Sequence, residues 1–194
     1  MQPLNVLTQL DVHTPFDAIE ARHLAQSRAF VSENLDKFWQ RTTAAGHITA
    51  SAFVVNTEHS HALMLHHAAL NRWLQPGGHV DDNDGEPIAA ALRETLEETG
   101  VAAQPATGNT TPGSASSLLF DIDVHPIPAR TKHGVSEPAH LHYDFRYLLV
   151  AATSAVKLSN ESFAFRWLAI ASLAEGGADS GIARMARKIL GNQQ

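Results

Sequence analysis

The sequence contains no cysteine and no long apolar run. The absence of cysteine among its 194 residues excludes disulfide bonds, thiolate zinc sites and cysteine nucleophiles. Nowhere do about 18 apolar residues follow one another, so no membrane-spanning helix is expected. Neither a basic start nor a long apolar run occurs in the first residues, MQPLNVLTQLDVH. We therefore expect no secretory leader, and a soluble, cytoplasmic protein.

Positive charge is also scarce. The chain has 14 lysines and arginines against 20 acidic residues, a net charge of -6, and its pI is near 6.0. Without a broad basic surface, binding to duplex nucleic acid is disfavoured, whereas a nucleotide-sized ligand remains compatible. Hydrophobic residues make up 44% of the chain. At this length, one compact domain with additions can bury about 70% of the surface of its unfolded chain.

The most informative segment covers residues 77–101, GGHVDDNDGEPIAAALRETLEETGV. Pro87 suits the first turn of a helix and Gly100 suits the position just past its end, so the segment predicts a helix over Pro87–Thr99. One side of this helix is apolar and is expected to pack inward through Ile88, Leu92 and Leu96.

Three glutamates, Glu94, Glu97 and Glu98, stand at positions i, i+3 and i+4 of this helix, which makes their side chains neighbours. Near the C-terminal end of a helix, each acid typically costs about 0.3 to 1 kcal/mol. Sequences that break local rules in this way often mark a functional site. Carboxylates suit hard divalent cations such as Mg²⁺ or Mn²⁺. The alternative is a solvated acidic face on which Arg93 pairs with Glu97.

The segment resembles the Nudix box, a signature of glycine, glutamate, Arg-Glu, Glu-Glu and glycine at set intervals. In the family, five residues separate the leading glycine from the first glutamate, and seven separate that glutamate from the arginine. Here Glu86 follows Gly78 after seven residues and precedes Arg93 by six, so Glu86 and Asp84 are both candidates for the first acidic position. Thr95 replaces the usual aliphatic residue. The matching core is Arg93, Glu94, Glu97, Glu98, Gly100 and Val101.

The resemblance implies an α/β/α sandwich with a mixed sheet, and a hydrolase that cleaves a nucleoside diphosphate linked to another group. In such enzymes water attacks phosphorus with the help of Mg²⁺ or Mn²⁺, which lowers the pKa of bound water and offsets phosphate charge. By resemblance, Glu97 and Glu98 are metal ligands, Glu94 is a ligand or the base, and the Gly78 carbonyl is a further ligand. Arg93 would orient the glutamates.

A second function stays open, because some relatives of the family are non-hydrolysing nucleotide-binding sensors of the same fold. Loss of the glutamates would indicate a sensor, and none is lost here. Homodimers are frequent in the family, and the N-terminal helices are candidates for an interface. We divide the chain into an N-terminal helical extension over residues 1–45 and a Nudix hydrolase domain over residues 46–194.

Helices and strands are expected on both sides of the box. A capping-box pattern at Thr14–Asp17, with Pro15 at the first helical position, predicts one or two helices up to about Thr43. These helices are expected to bury Phe16, Ile19, Leu24, Phe30, Leu35 and Phe38. A closing helix is predicted over Ser180–Leu190, with a buried stripe formed by Ile182, Met185, Ala186 and Ile189. The predicted strands are His47–Asn56, Ala62–His67, Leu118–Ile127, His140–Ala151 and Phe163–Ile170. A loop is predicted over Ala102–Ser117.

Polar residues alternate along two of these strands, so each set lies on one strand face. If the strands form a hairpin, the two sets meet. They are then either a polar wall of the substrate site, or a second metal position, or a solvated sheet face. The two sets are Asp121, Asp123 and His125, and His140, His142 and Asp144.

Further polar residues are candidates for contacting substrate. His79 directly follows the double glycine, and Glu161 lies in a polar loop, where it is either an extra ligand or base or a plain loop residue. Trp73 either packs beneath the glycine turn or lines a base pocket. A zinc site on the second hairpin is not favoured, because the spacing of its four histidines matches no ordinary zinc signature. These are His59, His61, His66 and His67. Three basic residues either contact phosphate or are plain surface charges: Arg130, Lys132 and Arg146.

Overall fold

The computed structural model describes residues 1, 3–106, 119–132, 135–176 and 180–191. Within these residues the helices are α1 (Pro3–Val12), α2 (Ala18–Glu33), α3 (Pro87–Thr99), α4 (Ile170–Ala174) and α5 (Ser180–Gly191). The strands are β1 (Gly46–Val55), β2 (His61–His67), β3 (Arg72–Leu74), β4 (Gly77–His79), β5 (Ala103–Pro105), β6 (Leu119–Ile127), β7 (Arg130–Lys132), β8 (Val135–Glu137), β9 (His140–Ala151) and β10 (Ser162–Ala169). A turn of 3₁₀ helix, Asp82–Asp84, precedes α3.

The main sheet is mixed. Its strand order is β10-β2-β1-β9-β5, and β3, β4 and β6 pair with β2, β1 and β9 respectively. β1 and β9 run parallel, and the other pairs of this sheet are antiparallel. The five predicted strands are all present, each within about one residue of its expected bounds. The predicted loop Ala102–Ser117 contains the short strand β5, and its part from residue 107 onwards lies outside the described residues.

Helices cover both faces of the sheet, so its strand β1 is buried along its whole length. On one face, alternate residues such as Ile48 and Ala50 share a core with α1, α2 and α3. On the other face, Phe53 and Val55 share a core with α4 and α5. The residues predicted as the buried stripe of α5 all belong to this core. The architecture is therefore the predicted α/β/α sandwich. No helix in the described ranges is long and apolar enough to cross a membrane.

The N-terminal region differs from the prediction. Helix α2 begins after Asp17, whose Oδ1 accepts a hydrogen bond from the Glu20 N–H at 2.8 Å, so Asp17 and not Thr14 is the cap. Phe16 precedes the helix, where it is exposed. Helix α2 ends at Glu33 and not near Thr43, so Leu35 lies beyond it and is also exposed. Ile19 is exposed in the first turn of the helix. The predicted burial of Phe30 and Phe38 is confirmed. Helix α1 carried no sequence prediction.

Helix α3 has the predicted bounds, with Pro87 at its start and Gly100 in the left-handed conformation at its end. Its buried face, however, is rotated from the predicted one. Leu96 is 53% exposed, whereas Thr95 and Glu98 are buried. Burial of Thr95 in place of an aliphatic residue is compatible with the helix because its hydroxyl donates to the Ala91 carbonyl at 2.7 Å.

A buried network of charges joins the N-terminal and C-terminal helices to the sheet. On α5, Lys188 donates to Glu20 of α2 and lies 2.8 Å from Asp121 of β6. Arg184 donates to both carboxylate oxygens of Asp121, at 2.7 and 2.8 Å. Arg146 of β9 also contacts this carboxylate, at 3.3 Å. Helices α2 and α5 are therefore tied to the sheet by ionic contacts as well as by apolar packing.

We predict that Glu20 makes stability depend on acid pH. Burial alone would raise its pKa, but the contacts from His13 and Lys188 outweigh burial and lower it to about 2. The unfolded chain then takes up this proton first, so the stabilisation is present above pH 4.5 and is lost as the pH falls towards 2. Replacing Glu20 by Gln should cost about 3 kcal/mol at pH 7 and less at pH 3.

Urea unfolding at pH 7 and pH 3 measures this difference, and Glu33→Gln at the exposed end of α2 is the matched control. A Glu20→Gln cost that is the same at both pH values would contradict the prediction.

Candidate metal and phosphate site

The glycine pair lies where strand and helix come closest. Strand β4 pairs with β1 through Ser51↔Gly77 and Ala50↔Gly78. A Cβ atom on Gly78 would lie 2.5 Å from Glu94 Oε1, and one on Gly77 would lie 2.4 Å from the Ser51 Cβ. A side chain at Gly77 would collide with β1, and one at Gly78 would displace the carboxylate of Glu94, so the double glycine brings the β4 backbone directly against the glutamates of α3.

Glu98 is held at this junction and is only 6% exposed. Its Oε2 accepts a hydrogen bond from the Gly77 N–H at 2.9 Å. Burial raises the pKa of Glu98 to about 7, and the nearby negative charges of Glu94 and Glu161 act in the same direction. The pKa of Glu94 is also raised, again mainly by burial. A cation at this position would offset the cost of crowding and burying these carboxylates.

Arg93 orients the acidic residues around it. Its Nε and Nη2 donate to the two carboxylate oxygens of Asp84, each at 2.9 Å, and this pairing raises the pKa of Arg93. Nη1 donates to Glu94 at 2.9 Å and to Glu97 at 3.1 Å, while Nη2 also donates to the His79 carbonyl at 3.0 Å. One guanidinium therefore ties the 3₁₀ turn and β4 to α3.

The structure distinguishes the two candidates for the first acidic position. Asp84 is the residue that forms the paired contact with Arg93. Glu86 instead is the N-cap residue of α3 and accepts a hydrogen bond from Asn5 at 3.2 Å. The carboxylate of Asp84 therefore reaches the arginine from the 3₁₀ turn.

The residues predicted as metal ligands lie together. Glu94 and Glu98 face the Gly77–Gly78 backbone, and the more exposed Glu97 reaches the same group through Arg93. Glu161 comes close enough for its charge to raise the pKa of both Glu94 and Glu98. This donor set is made entirely of oxygen atoms, which suits Mg²⁺ or Mn²⁺.

The two alternating sets also meet. β6 and β9 pair antiparallel with Asp123↔Asp144 and His125↔His142 in register. A solvated face is excluded for part of this surface, because Asp121 and Asp144 are buried. Asp144 accepts hydrogen bonds from three partners, at 3.1, 2.9 and 2.8 Å respectively: Thr49, Ser51 and Arg146.

The basic residues singled out in the sequence have other partners. Arg146 is buried among Asp121, Asp123 and Asp144, so it balances these carboxylates. Arg130 pairs with Glu137 across the β7–β8 hairpin.

A cavity of about 490 Å³ opens beside the glycine pair, within the size range of small-molecule sites. The backbone of Gly77–Gly78 forms one end, and Asp144 and His142 line another part. The remaining lining is mixed: it includes the apolar side chains of Leu70, Leu74 and Ile127 together with polar and charged side chains such as Gln75 and Asp123. Trp73 is not among its described lining residues. Instead it stacks on His66, with ring centroids 5.1 Å apart.

Histidines cluster at the edge of this cavity, and sequence reasoning missed one of them. The His47 ring lies 5.1 Å from His79, 5.1 Å from His140 and 4.7 Å from His142, measured between centroids. Burial is the main cause that lowers the pKa of His47 to about 4, of His79 to about 3 and of His142 to about 2. The residue that sequence reasoning missed is His47. Its alternation with Thr49 and Ser51, at the start of a strand that is otherwise apolar, was the available signal.

Comparisons with known proteins agree with the predicted fold. Residues 45–189 match the model of the NUDIX domain. A curated relative, "Probable DHNTP pyrophosphohydrolase" of Lactococcus lactis subsp. cremoris (strain MG1363), is 31% identical over 117 residues. That match covers 60% of this chain and 61% of the relative, so the chain spans about three fifths of that protein's length.

Two solved structures have similar folds. A hydrolase of the NUDIX family from Clostridium perfringens is 23% identical, with a TM-score of 0.53, and the match covers 76% of this chain and 98% of that one. The MutT protein from Methanosarcina mazei Go1 is 16% identical, with a TM-score of 0.50, over 78% of this chain and 98% of that one. At these identities the likeness supports the fold.

Proposed function

Because the chain belongs to the NUDIX domain family, we propose that it is a divalent-metal-dependent pyrophosphohydrolase that cleaves a nucleoside diphosphate linked to another group. The family predicted from residues 77–101 is confirmed, and the reaction class of its hydrolases is the cleavage of phosphoric anhydride bonds. One observation carries the proposal for this chain. Glu98 is buried against the Gly77 N–H beside Glu94, an arrangement of acids that a divalent cation would stabilise.

The residues proposed to hold Mg²⁺ or Mn²⁺ are Glu94, Glu97, Glu98 and the Gly78 carbonyl. Such an ion offsets phosphate charge and lowers the pKa of a bound water. The protein contributes the orientation of the ligands. The Gly77 N–H holds Glu98, and Arg93 holds Glu94 and Glu97. Glu94 is proposed as a ligand or as the base, and Glu161 as a further ligand or base that approaches from the loop before β10.

The cavity suggests how a substrate would lie. Its phosphates would lie at the Gly77–Gly78 backbone, and its base would contact apolar lining residues such as Leu70 and Ile127. His79, His140, His142 and Asp144 are proposed substrate-side residues. Asp144 has a clear positional role, because three hydrogen-bond donors hold its carboxylate in the cavity wall.

Replacing Gly78 by Ala should weaken the site without unfolding the protein. The new Cβ would lie 2.5 Å from Glu94 Oε1, and since that oxygen ends a flexible side chain, Glu94 would move and the fold would remain. We expect Mn²⁺ affinity and turnover to fall about tenfold, the size of effect seen when the support of a metal ligand is lost. The matched control is Gly191→Ala, where an added Cβ would meet no atom within 4 Å. Equal Mn²⁺ binding by the two variants would contradict the prediction.

A substrate panel tests the proposed function. Purified protein is incubated with Mg²⁺ or Mn²⁺ and with nucleoside triphosphates, dinucleoside polyphosphates, nucleotide sugars and ADP-ribose. Dihydroneopterin triphosphate belongs in the panel because of the 31% identical relative. Metal-dependent release of phosphate, pyrophosphate or a nucleotide from one class supports the hydrolase. Binding of a panel member without cleavage would support the alternative, a non-hydrolysing nucleotide sensor.

Three further predictions remain with this proposal. The cytoplasmic location and the division at residue 46 stay predictions, although Val6, Leu10 and Phe30 of the N-terminal helices pack into the same core as the sheet. A homodimer also stays a prediction. If the N-terminal helices form its interface, exposed apolar residues in and beside these helices include Val12, Phe16, Ile19 and Leu35.

A further inference from the structure

Five histidines from four strands meet beside the cavity. They are brought together by pairing in register, because His47 of β1 lies opposite His142 of β9 and His142 lies opposite His125 of β6. His79 of β4 lies opposite Thr49 of β1, two residues from His47 and therefore on the same strand face. Neighbouring ring centroids in this group are 4.7 to 5.6 Å apart. The arrangement therefore depends on four strands and not on a local sequence motif.

Three of these rings present nitrogen atoms to one another. One ligand atom from each of His47, His79 and His142 lies within 4.8 Å of the others. Both ring nitrogens of His47 and the Nε2 atoms of His79 and His142 are buried, and within the described residues they have no hydrogen-bond partner. A buried polar atom without a partner typically costs about 1 to 3 kcal/mol. Buried nitrogens without partners on three rings whose ligand atoms lie this close together indicate a ligand that contacts all three rings.

We propose that His47, His79 and His142 bind a transition-metal dication of the Zn²⁺ type. Imidazole nitrogen is an ordinary ligand for Zn²⁺, whereas Mg²⁺ and Ca²⁺ require oxygen. With Zn–N distances of about 2.0 to 2.1 Å, the ligand atoms around a tetrahedral ion lie about 3.4 Å apart. Small rotations of the rings would therefore bring the three nitrogens within bonding distance.

This site is separate from the carboxylate site although both use β4. Successive residues of a strand point to opposite faces. Gly78 therefore lies against Glu94, whereas the ring of the next residue, His79, lies with His47 and His142. His142 also lines the cavity. Three protein ligands leave a fourth position for an oxygen atom, which water or a phosphate group entering the cavity would supply. The inference goes beyond the proposed hydrolysis and does not depend on it.

The test measures metal binding directly, on the full chain without a histidine tag. Chelator-treated protein is titrated with Co²⁺, whose visible absorption reports nitrogen ligands and tetrahedral geometry, and Zn²⁺ competition then gives the Zn²⁺ affinity. The titrations use a Glu98→Gln background, which weakens the carboxylate site. His142→Asn and His79→Asn remove one ligand each. His66→Asn is the matched control, because His66 is half-buried on β2 and stacks on Trp73, outside the cluster.

We expect one tightly bound Co²⁺ per chain in the Glu98→Gln background, and an affinity lowered about tenfold or more by either cluster variant but not by His66→Asn. Zn²⁺ should also raise the melting temperature of the wild type and not that of the folded His142→Asn variant. Circular dichroism checks that both cluster variants are folded, and His79→Asn, which removes a ligand from a different strand, provides the result if His142→Asn is not folded. Co²⁺ binding that is unchanged in the folded cluster variants would overturn the proposal. Neither Co²⁺ binding nor the melting temperature depends on hydrolysis.

Discussion

Replacing Glu98 by Gln is expected to lower metal-dependent hydrolysis at least about 100-fold while leaving the protein folded. The amide oxygen of Gln can still accept the hydrogen bond that the Gly77 N–H now donates to Glu98. What is lost is the negative charge that a divalent cation requires. Because burial raises the pKa of Glu98 to about 7, the carboxylate is costly to ionise without metal. Removing it should therefore not destabilise the metal-free chain.

Two measurements check this expectation together. Turnover of the substrate identified in the panel is compared for wild type, Glu98→Gln and the control Glu175→Gln, whose side chain is exposed just after α4. Thermal melts in the presence of a chelator compare the stability of the three chains. Full turnover by folded Glu98→Gln would rule out the proposed metal site, and loss of turnover together with unfolding would show a structural role instead.

Replacing Asp121 by Asn is expected to have the largest effect on stability. Asp121 is fully buried and its carboxylate accepts two hydrogen bonds from Arg184, while Lys188 and Arg146 lie 2.8 and 3.3 Å away. The neutral amide of Asn would remove the negative charge that balances these buried cations. Removing one partner from a buried ionic group typically costs about 3 to 5 kcal/mol.

The same substitution at an exposed ion pair is the matched control. Asp11 lies 2.7 Å from Arg28, but both side chains are about half exposed, so Asp11→Asn should cost no more than about 1 kcal/mol. Urea unfolding monitored by circular dichroism gives both values. Equal losses in the two variants would mean that the buried network adds no more to stability than a surface pair.

Local sequence rules were sufficient for the helix that carries the glutamates. Pro87 fixes the backbone angle of its first turn and Gly100 adopts the left-handed conformation that ends it, so the bounds Pro87–Thr99 were predictable. The spacing of Glu94, Glu97 and Glu98 follows from the helical period alone. Strand positions were likewise predictable from short apolar runs between turn residues. Family-level chemistry followed from these residues because they are adjacent along the chain.

Contacts between distant segments could not be read in this way. The parallel pairing that places His47 beside His142 joins residues far apart in the chain, and no local pattern encodes its register. The choice of Asp84 over Glu86 depends on the reach of Arg93 across a turn. Burial of Asp121 and Arg146 depends on α5 covering that part of the sheet. Helical and strand periods act over a few residues, whereas these contacts arise only when the whole chain is packed.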